Sequence, residues 1–327
     1  MNIVDEKIIN DLAIMRNLSP KTKQGYFNAL NCYIGFNNLG FKSLLEEAEN
    51  EEIKGIRWKD RKLKQRLIHF RVFLQEKYLV STAKVYFQRI LTLYTHFEIE
   101  IHKLPPVSTK SSRMSKPITF EDLPTKEIIK QAVEIANPIM RAIILFMSSS
   151  GCARNETLKL TIHDFINATY EYHKEKDVKK ALIKLSKLDN IVPIFRINRQ
   201  KTNKFYFTFC SPEASNEIIY FLLDNDSFNK DSPLFDINLY YFNKYFRDIN
   251  DSLNLGKIGP YNRFRSHMLR KFHASSLYNS KNGLSLEEID SLQGRSKDKT
   301  HSSYFMENPN ILKEKYINSL DAIKINI

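Results

Sequence analysis

Cysteine, glycine and proline are scarce in this chain of 327 residues, which contains 3, 9 and 11 of them. The three cysteines, Cys32, Cys152 and Cys210, lie far apart and form no C-x-x-C pair, so the sequence indicates neither a disulfide framework nor a zinc site. We expect buried thiols in a reducing compartment. The low glycine and proline content, with 42% hydrophobic and 12% aromatic residues, predicts an ordered and largely helical globular protein.

Membrane segments and familiar cofactor motifs are also lacking. The N-terminal stretch MNIVDEKIINDLAIM has early acidic residues and no apolar signal-peptide core, and no run of about 18 apolar residues occurs. We therefore expect a cytoplasmic protein with no membrane partner. The absence of G-x-x-x-x-G-K-[ST], G-x-G-x-x-G, H-E-x-x-H and G-x-S-x-G argues against nucleotide hydrolysis, dinucleotide chemistry, zinc proteolysis and the common serine esterase arrangement.

What the chain does have is positive charge. Its formal net charge is +13, which favours a polyanionic partner because each lysine or arginine that meets a phosphate releases condensed counterions. Nucleic acid is the first candidate, and an anionic membrane surface is the second. Residues 1–118 contain 20 basic and 12 acidic residues, a net charge of +8, so most of the excess lies in the front third of the chain.

Patterning divides the chain at residues 104–118, LPPVSTKSSRMSKPI, which combine three prolines and four serines without periodicity and are typical of a linker. Residues 1–103 are predicted to be a helical domain, with one helix opening at Ser19 and Pro20. Residues 119–327 are predicted to form a mixed α+β domain with helices at 125–137 and 138–149. The alternating segment 181–210 predicts strands with a turn at 201–204, and Ser211 with Pro212 begins the next helix.

A basic run in the front domain, RWKDRKLKQRLIHFR, is a candidate surface for DNA phosphates. A solvated helix surface is the alternative for such a run. The candidate DNA-binding residues are Arg57, Lys59, Arg61, Lys62, Lys64, Arg66 and Arg71.

In the second domain a set of polar side chains stands in a particular order. Arg154 follows a glycine turn in SSSGCARNETLKL, Lys201 lies at the predicted hairpin tip, and HMLRKF places His267 and Arg270 on one helix face. The last members are Arg295, directly after Gly294, and Tyr304, nine residues beyond it. Each of these residues taken singly would be an ordinary surface or packing residue.

Taken together, the ordered set resembles the tyrosine recombinase (phage integrase, Xer-like) family. Residues 1–103 are similar to that family's helical core-binding (SAM-like) domain, and the resemblance covers roughly residues 10–320. The stretches GCARNETLKL, LRKFHASSL and QGRSKDKTHSSYF look most like archaeal members. Two departures occur: Glu156 follows Arg154 by two residues where R-x-x-E is usual, and Arg295 stands where the family has histidine.

The resemblance implies a mainly α fold whose two domains form a C-shaped clamp around double-stranded DNA. It implies a site-specific recombinase or integrase that cleaves and rejoins strands through a 3′-phosphotyrosine at Tyr304, without a metal, ATP or another cofactor. Arg154, Arg270 and Arg295 would hold the phosphate. His267 would accept or relay a proton, and Lys201 would protonate the 5′ oxygen, with Lys204 as the competing candidate.

The resemblance also implies a tetramer on DNA, with the amphipathic C-terminal tail docking on a neighbouring protomer. Covering its own domain is the alternative for that tail. Several functions remain open: integration or excision of a mobile element, Xer-type resolution of chromosome dimers, a nicking-and-resealing topoisomerase, and a catalytically silent sequence-specific DNA-binding protein. The target sequence cannot be read from the chain.

Overall fold

A computed structural model describes residues 3–106, 117–199, 204–224, 229–295 and 308–327. The chain divides into two compact units, Met1–Ser115 and Lys116–Ile327. The division falls within the stretch expected to be a linker. No helix among the described residues combines the length and the apolar character needed to cross a membrane.

The first unit is helical throughout its described part. Ser19 caps the second helix by accepting a hydrogen bond from the Thr22 backbone N–H at 3.3 Å, and Pro20 occupies the first turn, so the predicted helix start is confirmed. The helices are α1 (Ile3–Met15), α2 (Pro20–Asn37), α3 (Phe41–Ile53), α4 (Lys62–Lys77) and α5 (Val80–His96), with a 3₁₀ turn at Trp58–Asp60.

Aromatic side chains fill the core of this unit. Tyr33 packs edge-on against Phe70 with ring centroids 4.8 Å apart, and Phe41 packs against Tyr94 at 5.3 Å. The hydroxyls of Tyr33 and Tyr94 lie 3.1 Å apart, so each phenol has a partner inside the core. Burial raises the pKa of Tyr33 to about 12. These tyrosines are packing residues.

The second unit is built around α7, whose residues are buried from Ala142 to Ser150. A helix that is apolar on nearly every side must be surrounded, and α12 and α14 pack against it. The helices are α6 (Lys126–Ile135), α7 (Pro138–Ser150), α8 (Arg154–Thr157), α9 (Ile162–Ala168), α10 (Tyr170–His173), α11 (Val178–Leu185), α12 (Pro212–Leu223), α13 (Leu239–Ser252), α14 (Ser266–Tyr278), α15 (Leu286–Leu292) and α16 (Pro309–Asn318).

One antiparallel hairpin lies beside these helices. Strands β1 (Ile194–Arg199) and β2 (Lys204–Phe209) pair from Ile194 with Phe209 to Arg199 with Lys204. A second pair, β3 (Lys257–Ile258) and β4 (Tyr261–Asn262), is only two residues long. The described part of the chain is thus mainly α with small antiparallel sheets, which confirms the predicted fold class.

The strand prediction was wrong for residues 181–193, of which 186–193 contain no strand. Residues 181–185 belong to α11, because Asp177 caps a helix whose buried positions Ala181, Leu182 and Leu185 recur at helical spacing. Over a short segment, apolar residues spaced this closely fit both the strand and the helix period. The cap at Asp177 determines that this segment is a helix. The turn residue Lys201 lies outside the described residues.

The C-terminal tail folds onto its own unit in the single chain. The Tyr316 side chain is fully buried and its hydroxyl donates to the Ser149 carbonyl at 2.7 Å, and Ile323 is equally buried. The backbone N–H of Ile325 donates to Glu213 at 2.9 Å. The sequence left open whether the tail docks on a neighbouring protomer or covers its own domain. In the single chain it covers its own domain.

Two of the three thiols are inaccessible. Cys152 and Cys210 are fully buried, and burial raises the pKa of each thiol to about 12. Cys32 is half-buried, with its sulfur 3.7 Å from the Tyr78 hydroxyl. All three are free cysteines.

Candidate functional site

The site begins at a glycine turn that ends α7. Gly151 has φ +65°, a left-handed conformation, and an added Cβ would lie 2.5 Å from His273 Nδ1, so both conformation and space require glycine. The chain then turns directly into α8. Glu156 Oε2 accepts a hydrogen bond from the Ala153 backbone N–H at 2.8 Å, which fixes the start of this helix. Arg154 is therefore held on the first turn of α8.

The Arg154 guanidinium reaches toward α13. One of its terminal nitrogens donates to Asn243 Oδ1 at 2.9 Å. Its Nε is buried and has no hydrogen-bond partner in the part of the chain that the structure describes. An arginine can bind an anion through two parallel N–H groups.

Arg270 comes from α14 and joins two helix ends. Its guanidinium donates to the Gly151 carbonyl, after α7, and to the Gln293 carbonyl at 2.6 Å, after α15. The side chain is only 8% exposed. Burial lowers the pKa of Arg270, and the Glu156 carboxylate, 3.8 Å away, opposes that shift. These contacts hold the guanidinium in one orientation.

His267 lies one turn before Arg270 on the same helix and is exposed at the edge of the site. Partial desolvation, followed by the nearby cations Lys271, Arg265 and Arg270, lowers the pKa of His267 below its ordinary value of 6.5. The imidazole is therefore neutral at neutral pH. A neutral imidazole has an acceptor nitrogen and can take up a proton.

Glu156 is the acidic centre of the arrangement, with a side chain 8% exposed. Arg199 Nε lies 3.3 Å from its Oε1, and the Tyr206 hydroxyl donates to its Oε2 at 2.9 Å. The carboxylate thus offsets the charge of Arg199 and Arg270 and caps α8. This explains the position of Glu156 in R-x-E: it is set by the cap of a short helix.

Arg154, Glu156, Arg199, His267 and Arg270 line one cavity of about 620 Å³. Arg154, Arg270 and His267 come together here from two helices that are more than 100 residues apart in the sequence. Basic side chains outnumber acidic ones in the lining, which suits an anion such as a phosphate group. The titratable residues that line it are Arg154, Glu156, Lys159, Asp164, Arg196, Arg199, His267 and Arg270.

Of the three other predicted catalytic residues, the structure describes only Arg295, because Lys201 and Tyr304 lie outside the described residues. Arg295 is exposed and is not among the residues that line the cavity, and its guanidinium lies 3.1 Å from Asp290 Oδ1. Lys204 Nζ donates to the Arg295 carbonyl at 2.6 Å. Of the four predicted catalytic residues that the structure describes, Arg154, His267 and Arg270 therefore line one cavity.

Arg199 and Tyr206 belong to this site without any motif that singles them out. The signal that could have found Arg199 is its position two residues before Lys201, at the end of an alternating strand. Tyr206 resembles the other aromatic residues of β2 in the sequence. Only its hydrogen bond to Glu156 distinguishes it.

In the first unit, the predicted DNA-binding residues divide into two groups. Arg61 is 7% exposed and donates to Glu52 Oε1 at 2.6 Å and to the Ile56 carbonyl at 2.9 Å. Arg66 forms a two-pronged pair with Glu47, at 2.7 and 3.0 Å. Both arginines hold the unit together. The others reach the surface or its margin: Arg57, Lys59, Lys62, Lys64 and Arg71.

No group of three or more histidine, cysteine, aspartate or glutamate side chains suited to a metal ion occurs among residues whose placement is described.

Comparisons with known proteins give a mixed result. No family model matches the chain, and no curated protein sequence matches it. The solved structures that are similar include the XerA recombinase, with 15% identity over 96% of this chain and 97% of that chain and a TM-score of 0.39. They also include the XerH site-specific recombinase bound to its difH substrate, with 19% identity over 77% of this chain and 69% of that chain and a TM-score of 0.47. A third is the Tn1549 transposon integrase in complex with transposon right-end DNA, with 13% identity over 96% of this chain and 98% of that chain and a TM-score of 0.49. Similarities of this size do not establish a shared activity.

Proposed function

We propose that this chain is a site-specific DNA recombinase or integrase of the tyrosine type, acting on double-stranded DNA. The observation that carries the proposal is the meeting of Arg154, Arg270 and His267 at one positively lined cavity. Two guanidinium groups beside a neutral imidazole match what phosphodiester cleavage needs, namely stabilisation of the phosphorane charge and a proton acceptor.

In the proposed reaction, Arg154 and Arg270 bind the non-bridging oxygens of the scissile phosphate. His267 accepts the proton of the Tyr304 hydroxyl as its oxygen attacks phosphorus. The bond from phosphorus to the 5′ oxygen breaks, and Lys201 protonates that oxygen. The product is a 3′-phosphotyrosine and a free 5′ hydroxyl, and the reverse reaction with another 5′ hydroxyl rejoins the strand without ATP.

Two features refine the residue roles in this proposal. Lys204 is tied to the Arg295 carbonyl, which favours Lys201 as the proton donor. Arg295 is paired with Asp290, so it would have to leave that pair before it could contact phosphate. The charge that a metal ion would supply comes here from the guanidinium groups.

The finer assignments remain part of the same proposal. We favour integration of a mobile element, by an archaeal-type member of the family, over chromosome dimer resolution. Recombination requires synapsis of two sites, so the active form would be a homotetramer on DNA. Docking of the tail on a neighbour would have to remove Tyr316 from its buried position, because the tail covers its own unit in the single chain.

The test is trapping of the covalent intermediate. Duplexes selected from a random pool by their binding to the protein are nicked near the candidate cleavage position, so that cleavage releases a short strand and the adduct accumulates. The wild-type protein is expected to form a covalent adduct and Tyr304→Phe to form none. Tyr220→Phe, at an exposed tyrosine on α12, is the matched control and should form as much adduct as the wild type.

Arg154→Ala should abolish the adduct while DNA binding changes less than about threefold, since Arg154 acts on one phosphate among many contacts. An adduct that persists in Tyr304→Phe would remove Tyr304 as nucleophile. Specific binding without an adduct from the wild-type protein would show the chain to be a DNA-binding protein without cleavage activity.

A further inference from the structure

The exit from α15 has a defined geometry. Gly294 is left-handed with φ +58°, its N–H donates to the Ser291 carbonyl at 2.9 Å, and the Arg295 N–H donates to the Asp290 carbonyl at 2.8 Å. These two bonds and the left-handed glycine form a Schellman motif, which ends the helix in a fixed direction. Tyr304 follows nine residues after Arg295 in the sequence.

The carbonyls of Gly294 and Arg295 accept hydrogen bonds from the last residue of β1 and the first residue of β2. Arg199 donates to the Gly294 carbonyl at 2.7 Å, and Lys204 Nζ donates to the Arg295 carbonyl at 2.6 Å. Arg199 and Lys204 are the last partners in the β1–β2 register. In the sequence they flank residues 200–203, which include Lys201. Two successive carbonyls thus meet the last residue of β1 and the first residue of β2.

A third contact restricts movement of β2 relative to the end of α15. Tyr206, two residues beyond Lys204 on the same strand face, lies against Gly294 so closely that a Cβ there would be 2.5 Å from the ring. The Tyr206 hydroxyl is held in turn by Glu156. Positively charged donors make stronger hydrogen bonds than neutral ones. The contacts of Arg199 and Lys204 with the two carbonyls are therefore suited to keep the hairpin strands at a fixed distance from the end of α15.

We propose that Arg199 and Lys204 are positioning residues, which hold the end of β1 and the start of β2, on either side of Lys201 in the sequence, against the end of α15. The inference rests on the proposed function, because it concerns the proton donor and the nucleophile of that reaction. It assigns Lys204 to the backbone of residue 295 and leaves proton donation to Lys201. It also gives Arg199 two roles, since Arg199 pairs with Glu156 as well.

The experiment compares single-turnover cleavage of two forms of the selected duplex, one with the ordinary 5′ oxygen and one with sulfur at that bridging position. Breaking the bond from phosphorus to sulfur releases a thiolate, which needs no proton from a lysine. The variants are Lys204→Met, Arg199→Lys and Lys201→Met. Lys179→Met, at an exposed lysine on α11, is the matched control. DNA affinity and thermal midpoint are measured for each protein.

We expect Lys204→Met to cleave the oxygen substrate about 10- to 100-fold more slowly, the scale of loss when a catalytic group is misplaced by about 1 Å. Its DNA affinity and thermal midpoint should match those of the control. Arg199→Lys, which keeps a cation beside Glu156, should show a smaller loss. Lys201→Met should be slowest on the oxygen substrate, and the sulfur substrate should restore most of the rate in all three variants.

Other outcomes overturn the inference. Wild-type rates in Lys204→Met would show that the carbonyl contact positions nothing. Equal losses on both substrates with a lowered thermal midpoint would make the contact structural. Rescue of Lys204→Met by sulfur, with full activity of Lys201→Met on oxygen, would make Lys204 the proton donor. The absence of any adduct from the wild-type protein would refute the proposed function itself, which distinguishes the two failures.

Discussion

Replacing Glu156 by glutamine would remove the negative charge at the centre of the cavity wall while keeping the size of the side chain. Glu156 is 8% exposed, lies 3.8 Å from Arg270 and 3.3 Å from Arg199, and accepts hydrogen bonds from Tyr206 and the Ala153 N–H. Breaking a buried ion pair costs about 3–5 kcal/mol when the other charge is left uncompensated.

The expected loss is smaller than that limit. Arg270 keeps its bonds to two carbonyls, and the Arg199 side chain is 24% exposed, so water can screen it. We therefore expect Glu156→Gln to lower the free energy of unfolding by about 2–3 kcal/mol. For a unit of this size that corresponds to a thermal midpoint about 4–12 °C lower.

Urea unfolding followed by circular dichroism, together with a thermal scan, would measure this loss. Glu314→Gln is the control, because Glu314 is an exposed glutamate on α16, and it should change stability by less than about 0.5 kcal/mol. If Glu156→Gln is no less stable than Glu314→Gln, the carboxylate does not offset the buried guanidinium charge. The account of Glu156 as the counterion of the site would then be wrong.

Two further predictions concern the turn beneath the cavity. Gly151→Ala should lower the free energy of urea unfolding by more than Gly256→Ala. Both residues have positive φ, but of the two only Gly151 has a neighbour in the space that a Cβ would fill, His273 Nδ1 at 2.5 Å. Equal losses would show that the strain of positive φ alone accounts for the destabilisation. Burial lowers the pKa of His273 to about 3. Between about pH 6.5 and pH 3 the unfolded chain therefore binds a proton at this residue that the folded chain does not bind. The free energy of unfolding should fall as the pH drops through this range, by up to about 1.4 kcal/mol per pH unit. His273→Leu should lack that part of the pH dependence in urea unfolding at pH 7 and pH 5, and an unchanged dependence would contradict the buried neutral imidazole.

Local signals predicted much of the fold. The cap at Ser19 with Pro20 specified the start of α2, and alternating residues specified β1 and β2, because caps and strand periodicity depend on neighbours in the chain. The same reasoning failed at 181–185, where a short apolar segment satisfies both periods and Asp177 decides for a helix. The first unit shows another limit: Arg61 and Arg57 look alike in a basic run, yet only Arg61 is buried against Glu52.

The sequence by itself determined the candidate phosphate-binding residues. Arg154, His267 and Arg270 were specified by residue type and order, since a guanidinium or an imidazole has its chemistry wherever it stands. Only the tertiary structure decided what surrounds them. Glu156 and Gln293 contact Arg270 from 114 and 23 residues away in the sequence, and Arg199 pairs with Glu156, which no local pattern records. Long-range packing therefore sets the charge balance and the orientation of the candidate groups that the sequence specifies.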